Sequence, residues 1–232
     1  MKDTTRSAVD QRIWQQEILS ELGVIALQGG TMDVLLTQTV RLVADGLQSE
    51  FCKVLEFVQA DNCFTVRAGV GWGTDVVGVA QVGADLASPA GFALKTGKPV
   101  ISNHLGNEQR FRTPELFARY GILRAMNVIL QGDGTPFGVL EVDSRSEGDF
   151  MEKDIPFLQG AANILGMAIE RERRCLSRAD SYSAFSLMSP CNRASPMARE
   201  VSIRSTVFSR CSSALSCSAP SLVRGNSAMT FK

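Results

Sequence analysis

The chain has 232 residues, 44% of them hydrophobic, and a formal net charge of zero. That balance describes an ordinary globular protein and gives no footing for a nucleic-acid or membrane-surface partner. The zero averages two unlike parts: residues 175–232 hold six Arg and Lys232 against Asp180 and Glu200, a net of about +5, which leaves about −5 on residues 1–174.

No basic-then-apolar stretch precedes a small-residue cleavage site, and no run of about 18 apolar residues occurs. Secretion and membrane spanning therefore lack support, and a cytoplasmic protein is expected. In a reducing compartment Cys52 and Cys63 read as packed thiols rather than a disulfide.

Taken in chain order, Trp14, Ile18, Leu22 and Ile25 recur at three- and four-residue steps and predict an amphipathic helix ending at Gly29–Gly30. Thr31 can cap a second helix whose apolar side carries Leu35, Leu36, Val40, Val43 and Leu47. Phe51–Val58 and Cys63–Val70, separated by the polar turn "QADN", predict a β-hairpin. If the hairpin turns at Gln59–Asn62, Cys52 lies near Ala68 or Gly69 and Cys63 near Val58, so the two thiols are too far apart to bridge. A loop-rich middle follows, with a short helix at Ser88–Thr96, a strand at Pro99–Ser102, and another short helix that Thr113 caps and Pro114 opens.

Leu123–Gln131 and Pro136–Ser144 predict two strands joined by "GDGT". Glu152–Arg174 closes the set as a helix with a wide apolar face formed by Phe157, Leu158, Ala161, Ala162, Leu165, Ala168 and Ile169. The order of elements implies an α+β fold, an antiparallel sheet with helices on one face.

Three stretches carry a family likeness: "AGFALKTGKPVISN" (90–103), "GDGTPFGVLEVDS" (132–144) and "FMEKDIPFLQGAANILGMAIE" (150–170). With their spacing they resemble a GAF domain, the small-ligand sensory module of bacterial signalling proteins. The resemblance implies a GAF-like central antiparallel sheet. The N- and C-terminal helices would pack on one face and form a homodimer surface, and a loop-rich ligand pocket would lie on the other. It divides the chain into an N-terminal extension (1–14), a GAF domain (15–174) and a Ser-, Cys- and Arg-rich tail (175–232). The tail holds Cys175, Cys191, Cys211 and Cys217 and shows no periodic apolar face. It reads as disordered or as translated out of the ancestral frame.

Side chains alternate along the last strand, so Gly138, Leu140 and Val142 should meet the helices while Val139, Glu141 and Asp143 face the pocket. A carboxylate there needs a donor from a ligand or a protein partner. Candidate ligand-binding residues are therefore Glu141, Asn127 on the neighbouring strand, and the crossover aromatics Trp72, Phe92, Phe111, Phe117 and Tyr120, since pockets are mostly apolar.

His104 is the only histidine. A multi-histidine metal site is excluded, and haem is not expected. Bilin-attaching GAF domains use a crossover cysteine, and none lies between Cys63 and Cys175, so no covalent bilin is expected. The sequence pattern of cyclic-nucleotide-binding GAF domains is not recognisable. The free methionine sulfoxide reductases of this fold work through clustered pocket cysteines, and Cys52 and Cys63 are misplaced for that role.

The expected function is a noncatalytic sensory module that binds an unidentified small molecule and relays its occupancy through the terminal helices. A second reading is a fragment of a sensor histidine kinase or another transducer of a two-component system, because no kinase ATP-site or phosphoacceptor-histidine motif follows Arg174. A third, a cysteine-dependent reductase, is the least favoured by the residues.

Overall fold

The computed structural model describes residues 8–132 and 134–188, with side chains as far as Cys175. The extension's first seven residues, Asp133 of the predicted turn, and the tail from Ser189 onward lie outside the described residues.

Two helices come first, α1 (Ala8–Gln28) and α2 (Met32–Gly46). The α1 stripe buries Gln15, Ile18, Leu22 and Ala26, close to the predicted face, and Trp14 and Ile25 pack at its margins. Thr31 precedes α2 in an extended conformation, but its side chain makes no capping hydrogen bond.

Strands β1 (Phe51–Val58) and β2 (Cys63–Val70) form the predicted hairpin. A register shift between Val54 and Leu55 leaves Arg67 unpaired, so Val54 faces Ala68 while Leu55 faces Val66. One extra residue on one strand is a β-bulge, and it bends the strand and re-aims its side chains. Cys52 therefore pairs with Val70 rather than with Ala68 or Gly69, while Cys63 pairs with Val58 as an unbroken count requires.

The crossover holds β3 (Gln81–Gly83), α3 (Pro89–Thr96), β4 (Val100–Ser102) and α4 (Glu115–Tyr120). Ser88 caps α3 by accepting from the Gly91 N–H at 3.0 Å. Gly97 ends it with φ +71, the left-handed conformation that glycine adopts without steric penalty. Thr113 does not cap α4; Pro114 occupies that place, and the Thr113 hydroxyl donates instead to the Leu105 carbonyl at 2.9 Å.

Strands β5 (Arg124–Leu130) and β6 (Gly138–Ser144) complete one sheet in the order β3-β2-β1-β6-β5-β4, antiparallel at every pair. Gly138 is held so close to β1 that a Cβ there would lie 1.8 Å from the Leu55 carbonyl oxygen.

The closing helix α5 spans Ile155–Met188 after a short 3-10 turn at Glu152–Asp154. It continues past Arg174, where the change of composition suggested a break. Neither Gly nor Pro occurs between Gly166 and Pro190, so nothing in the backbone chemistry interrupts it. Composition marks a loss of apolar stripe there, which is a different property from loss of helix.

The two faces of the sheet serve different purposes. Cys52, Val54, Met126, Val128, Leu140 and Val142 join Ile18, Leu22, Leu36, Val40, Leu158 and Leu165 in one core between sheet and helices. The other face, under the crossover, carries Phe51, Leu55, Ala125 and Val139 against crossover residues that include Phe117, Ile122, Val76 and Ala90. No helix among the described residues is long and apolar enough to cross a membrane.

Candidate functional site

Alternation along β1, β5 and β6 places Lys53, Asn127, Glu141 and Asp143 on the crossover face. Lys53 pairs with Glu141 across β1 and β6, and Glu141 pairs with Asn127 across β6 and β5, so the three form a row perpendicular to the strands. All four side chains are essentially inaccessible to solvent.

Lys53 Nζ lies 3.0 Å from Glu141 Oε2 and 2.5 Å from Asp143 Oδ2. Its remaining side meets aromatic faces, with the ammonium 4.3 Å from the centroid of the Trp72 ring and 4.7 Å from that of Phe117. Desolvated cations over aromatic rings gain stabilisation from the ring quadrupole. The result is an ammonium enclosed by carboxylates and rings, all supplied by one chain.

Electrostatics follow from this enclosure. Burial works against the Lys53 charge, but Asp143 and Glu141 more than offset it and hold the ammonium above its usual range. Burial, reinforced by the neighbouring Glu141 carboxylate and opposed by Lys53, pushes the Asp143 carboxyl well up. Asp143 therefore keeps its proton to a higher pH than a free aspartate and can place it toward Glu141. With that proton the cluster of one ammonium and two carboxyl groups is neutral.

Several buried atoms close by have no hydrogen-bond partner: Asn127 Nδ2 and Oδ1, Trp72 Nε1, Glu141 Oε1 and Asp143 Oδ1. The Asp143 proton can answer its own carboxyl and that of Glu141. Nothing of that kind answers Asn127 or Trp72, and a buried polar group left unpaired costs about 1–3 kcal/mol.

The roof is a cluster of rings. Trp72 lies 4.9 Å from both Phe51 and Tyr120, centroid to centroid. The Tyr120 hydroxyl accepts from the Gly73 N–H at 2.9 Å, and Arg119 reaches Asp75 at 2.8 Å, so α4 is clasped to the segment after β2. Outside this clasp is a surface groove of 680 Å³ bordered by Asp75, Ser88, Arg112 and Arg119.

The expected site residues thus lie on one side of the sheet and differ in whether they reach the polar row. Trp72, Phe117, Tyr120, Asn127 and Glu141 converge on or around the buried cluster. Phe92 and Phe111 belong to the same apolar cluster as Phe117, Trp72 and Tyr120 and pair with each other at 5.9 Å, with the Arg110 guanidinium over both rings. Lys53 was missed by sequence reasoning, although the alternation of "FCKVLEFV" puts it on the face opposite Cys52 and Val54. Asp143 was assigned to the right face without being named as a candidate.

His104 is exposed, and among the described residues no group of three or more His, Cys, Asp or Glu is placed to hold a metal ion. Cys52 is buried on the helix side of the sheet, where burial and then the Asp143 charge push its thiol well up. Such a thiol is a poor nucleophile.

The chain resembles solved structures at low identity. The GAF domain from an Acinetobacter phosphoenolpyruvate-protein phosphotransferase matches with a TM-score of 0.60 and 17% identity, covering 70% of this chain and 97% of that one. The free methionine-R-sulfoxide reductase of Neisseria meningitidis, solved with its substrate, matches with a TM-score of 0.63 and 18% identity, covering 75% and 99%. Residues 122 to 287 of a methyl-accepting chemotaxis protein match with a TM-score of 0.56 and 17% identity, covering 65% and 95%. At these identities the likeness shows the fold alone. No curated protein matches. The GAF domain family model matches residues 31–169, more than half of the chain, and takes in the strands that carry Lys53, Asn127, Glu141 and Asp143. The chain belongs to the GAF domain family.

Proposed function

We propose that this GAF domain is a noncatalytic sensory or regulatory module that binds a small molecule under the crossover and passes its occupancy to the terminal helices. One observation carries the reading: the buried polar row of Lys53, Glu141 and Asn127 lies on strands whose opposite faces form the core with α1, α2 and α5. A displacement of β1 or β6 by a ligand is felt directly by Ile18, Leu22, Leu158 and Leu165. The size of any response is limited by the ligand's differential affinity for the two states.

Two further contacts support the route. Arg171 on α5 donates to the Ala26 carbonyl near the end of α1 at 2.6 Å, and Gln11 and Gln15 on α1 donate to the Gly46 carbonyl of α2 at 2.6 and 3.2 Å. Val9, Ile13, Val24 and Leu27 on α1 and Met167 on α5 remain exposed and apolar, which supports a homodimer through these helices. In this reading α5 carries the output toward a transducer domain. The reductase alternative receives no support from Cys52, whose sulfur is on the wrong face of the sheet.

The test is native mass spectrometry of the purified chain, with the released small molecules identified after denaturation and the oligomeric state read from the same spectra. A stoichiometric small molecule on a dimer is expected. A monomer whose terminal helices respond to no added compound would sink the proposal.

A further inference from the structure

The row under the crossover also restricts the chemistry of its ligand, given the sensory reading above. An external cation has no vacant counter-charge to meet. Lys53 already contacts one oxygen of each carboxylate, and its exposed hemisphere is covered by Trp72 and Phe117. An external anion would meet the free oxygens of Glu141 and Asp143 and no free cation, because Lys53 is already committed to both. Neither kind of ion is favoured in an interior of low polarity.

What is unanswered is neutral. Asn127 offers a donor and an acceptor from one planar amide, and Trp72 offers a second donor, all buried. Glu141 lies next to Asn127 in the strand pairing, with a free oxygen on the same face. An amide is the group that meets such an edge in kind, since its carbonyl accepts while its N–H donates. Aromatic rings overhead suit the flat body of such a molecule.

We propose that the ligand of this site is a small neutral molecule presenting an amide-type edge, a carbonyl oxygen beside an N–H as in a lactam or a urea, to Asn127 and Trp72. Lys53 then acts as the built-in counter-ion that makes the site selective for neutral ligands.

Four probes test the assignment on the whole chain: δ-valerolactam, N-methylurea, n-butylammonium and n-butyrate. Binding is read by NMR from the Trp72 indole N–H, assigned with Trp14→Phe, and from the Asn127 side-chain amide. The neutral probes should shift both signals saturably, and the two ions should not. Asn127→Leu should weaken the neutral probes by about tenfold or more, the loss expected for two hydrogen bonds of ordinary strength. Trp72→Phe keeps a ring over Lys53 and removes the donor; it should weaken them severalfold even if Asn127→Leu fails to fold. Saturable binding of n-butylammonium or n-butyrate at these signals, without lactam or urea, overturns the ligand class and leaves the sensory reading standing. Silence from all four probes, with Asn127→Leu destabilised, overturns the ligand class and makes Asn127 a structural residue.

Discussion

Lys53 Nζ and Asp143 Oδ2 are 2.5 Å apart on adjacent antiparallel strands, in the interior of the domain and away from its helical core. Removing one member of a buried ion pair leaves the other uncompensated, at a cost of about 3–5 kcal/mol. Lys53→Met should lower stability by about that amount in urea denaturation. Adding Glu141→Gln and Asp143→Asn should recover most of it, because neutral side chains no longer need the ammonium. If the single variant is as stable as the parent, the cluster is not energetically coupled.

The sign of the pH dependence follows from the same residues. Asp143 has its pKa raised in the folded chain, so the folded state holds a proton that the unfolded state releases above a pH of about 4. Its contribution is complete below the unfolded pKa and is lost as pH rises through the folded one. The Lys53 pKa is also raised, so its pairing is kept at neutral pH and lost only as pH passes its elevated value. Wild-type stability should therefore decline as pH rises from about 4 through the folded Asp143 pKa, and Asp143→Asn should flatten that decline. Parallel urea titrations from pH 4 to 9 check it; equal slopes in the two proteins would contradict the assignment.

The clasp over the site combines unequal contacts. Arg119 and Asp75 are both more than half exposed, and an exposed pair contributes little, so Arg119→Ala should change stability by less than about 0.5 kcal/mol. Tyr120→Phe removes the acceptor of the Gly73 N–H and should cost about 1 kcal/mol. Amide exchange at residues 72–76 should quicken in Tyr120→Phe while the helices are unaffected.

Much of this architecture was legible in the sequence because apolar periodicity reports which face of an element is buried. The α1 stripe, the alternation of β6 and the closing helix all follow from it. The Cys52 register did not, because the bulge at Arg67 has no signature in residue type. Lys53 escaped for a related reason. Lysine is normally a surface residue, and only its pairing with two carboxylates on another strand, 88 and 90 positions away, makes its burial tolerable. That pairing depends on strand order, which one sequence does not state. Phe92, Phe111 and Phe117 look alike in sequence, and the path of the crossover alone decides that Phe117 meets Lys53 while Phe92 and Phe111 meet each other.

Asn127 is buried with both amide atoms unanswered, which points to a use that opposes stability. Asn127→Leu, or the smaller Asn127→Val, should raise the melting temperature by a few degrees, since an apolar side chain needs no partner. Thermal melts followed by circular dichroism decide this. A fall in melting temperature for both variants would mean that the amide is satisfied within the folded protein.

At the helix end of the route, Arg171→Ala removes the donor to the Ala26 carbonyl and should cost about 1 kcal/mol. It should quicken amide exchange at the end of α1 and leave the Trp72 indole signal where it is. A shift of that signal would mean that the contact also supports the crossover.

Coupling between the crossover site and the terminal helices is read from hydrogen–deuterium exchange of the whole chain with and without saturating δ-valerolactam. Altered exchange is expected in α1 and in residues 155–175 of α5, together with slower exchange across the crossover. A change confined to residues 71–122, with both terminal helices unaltered, would contradict it.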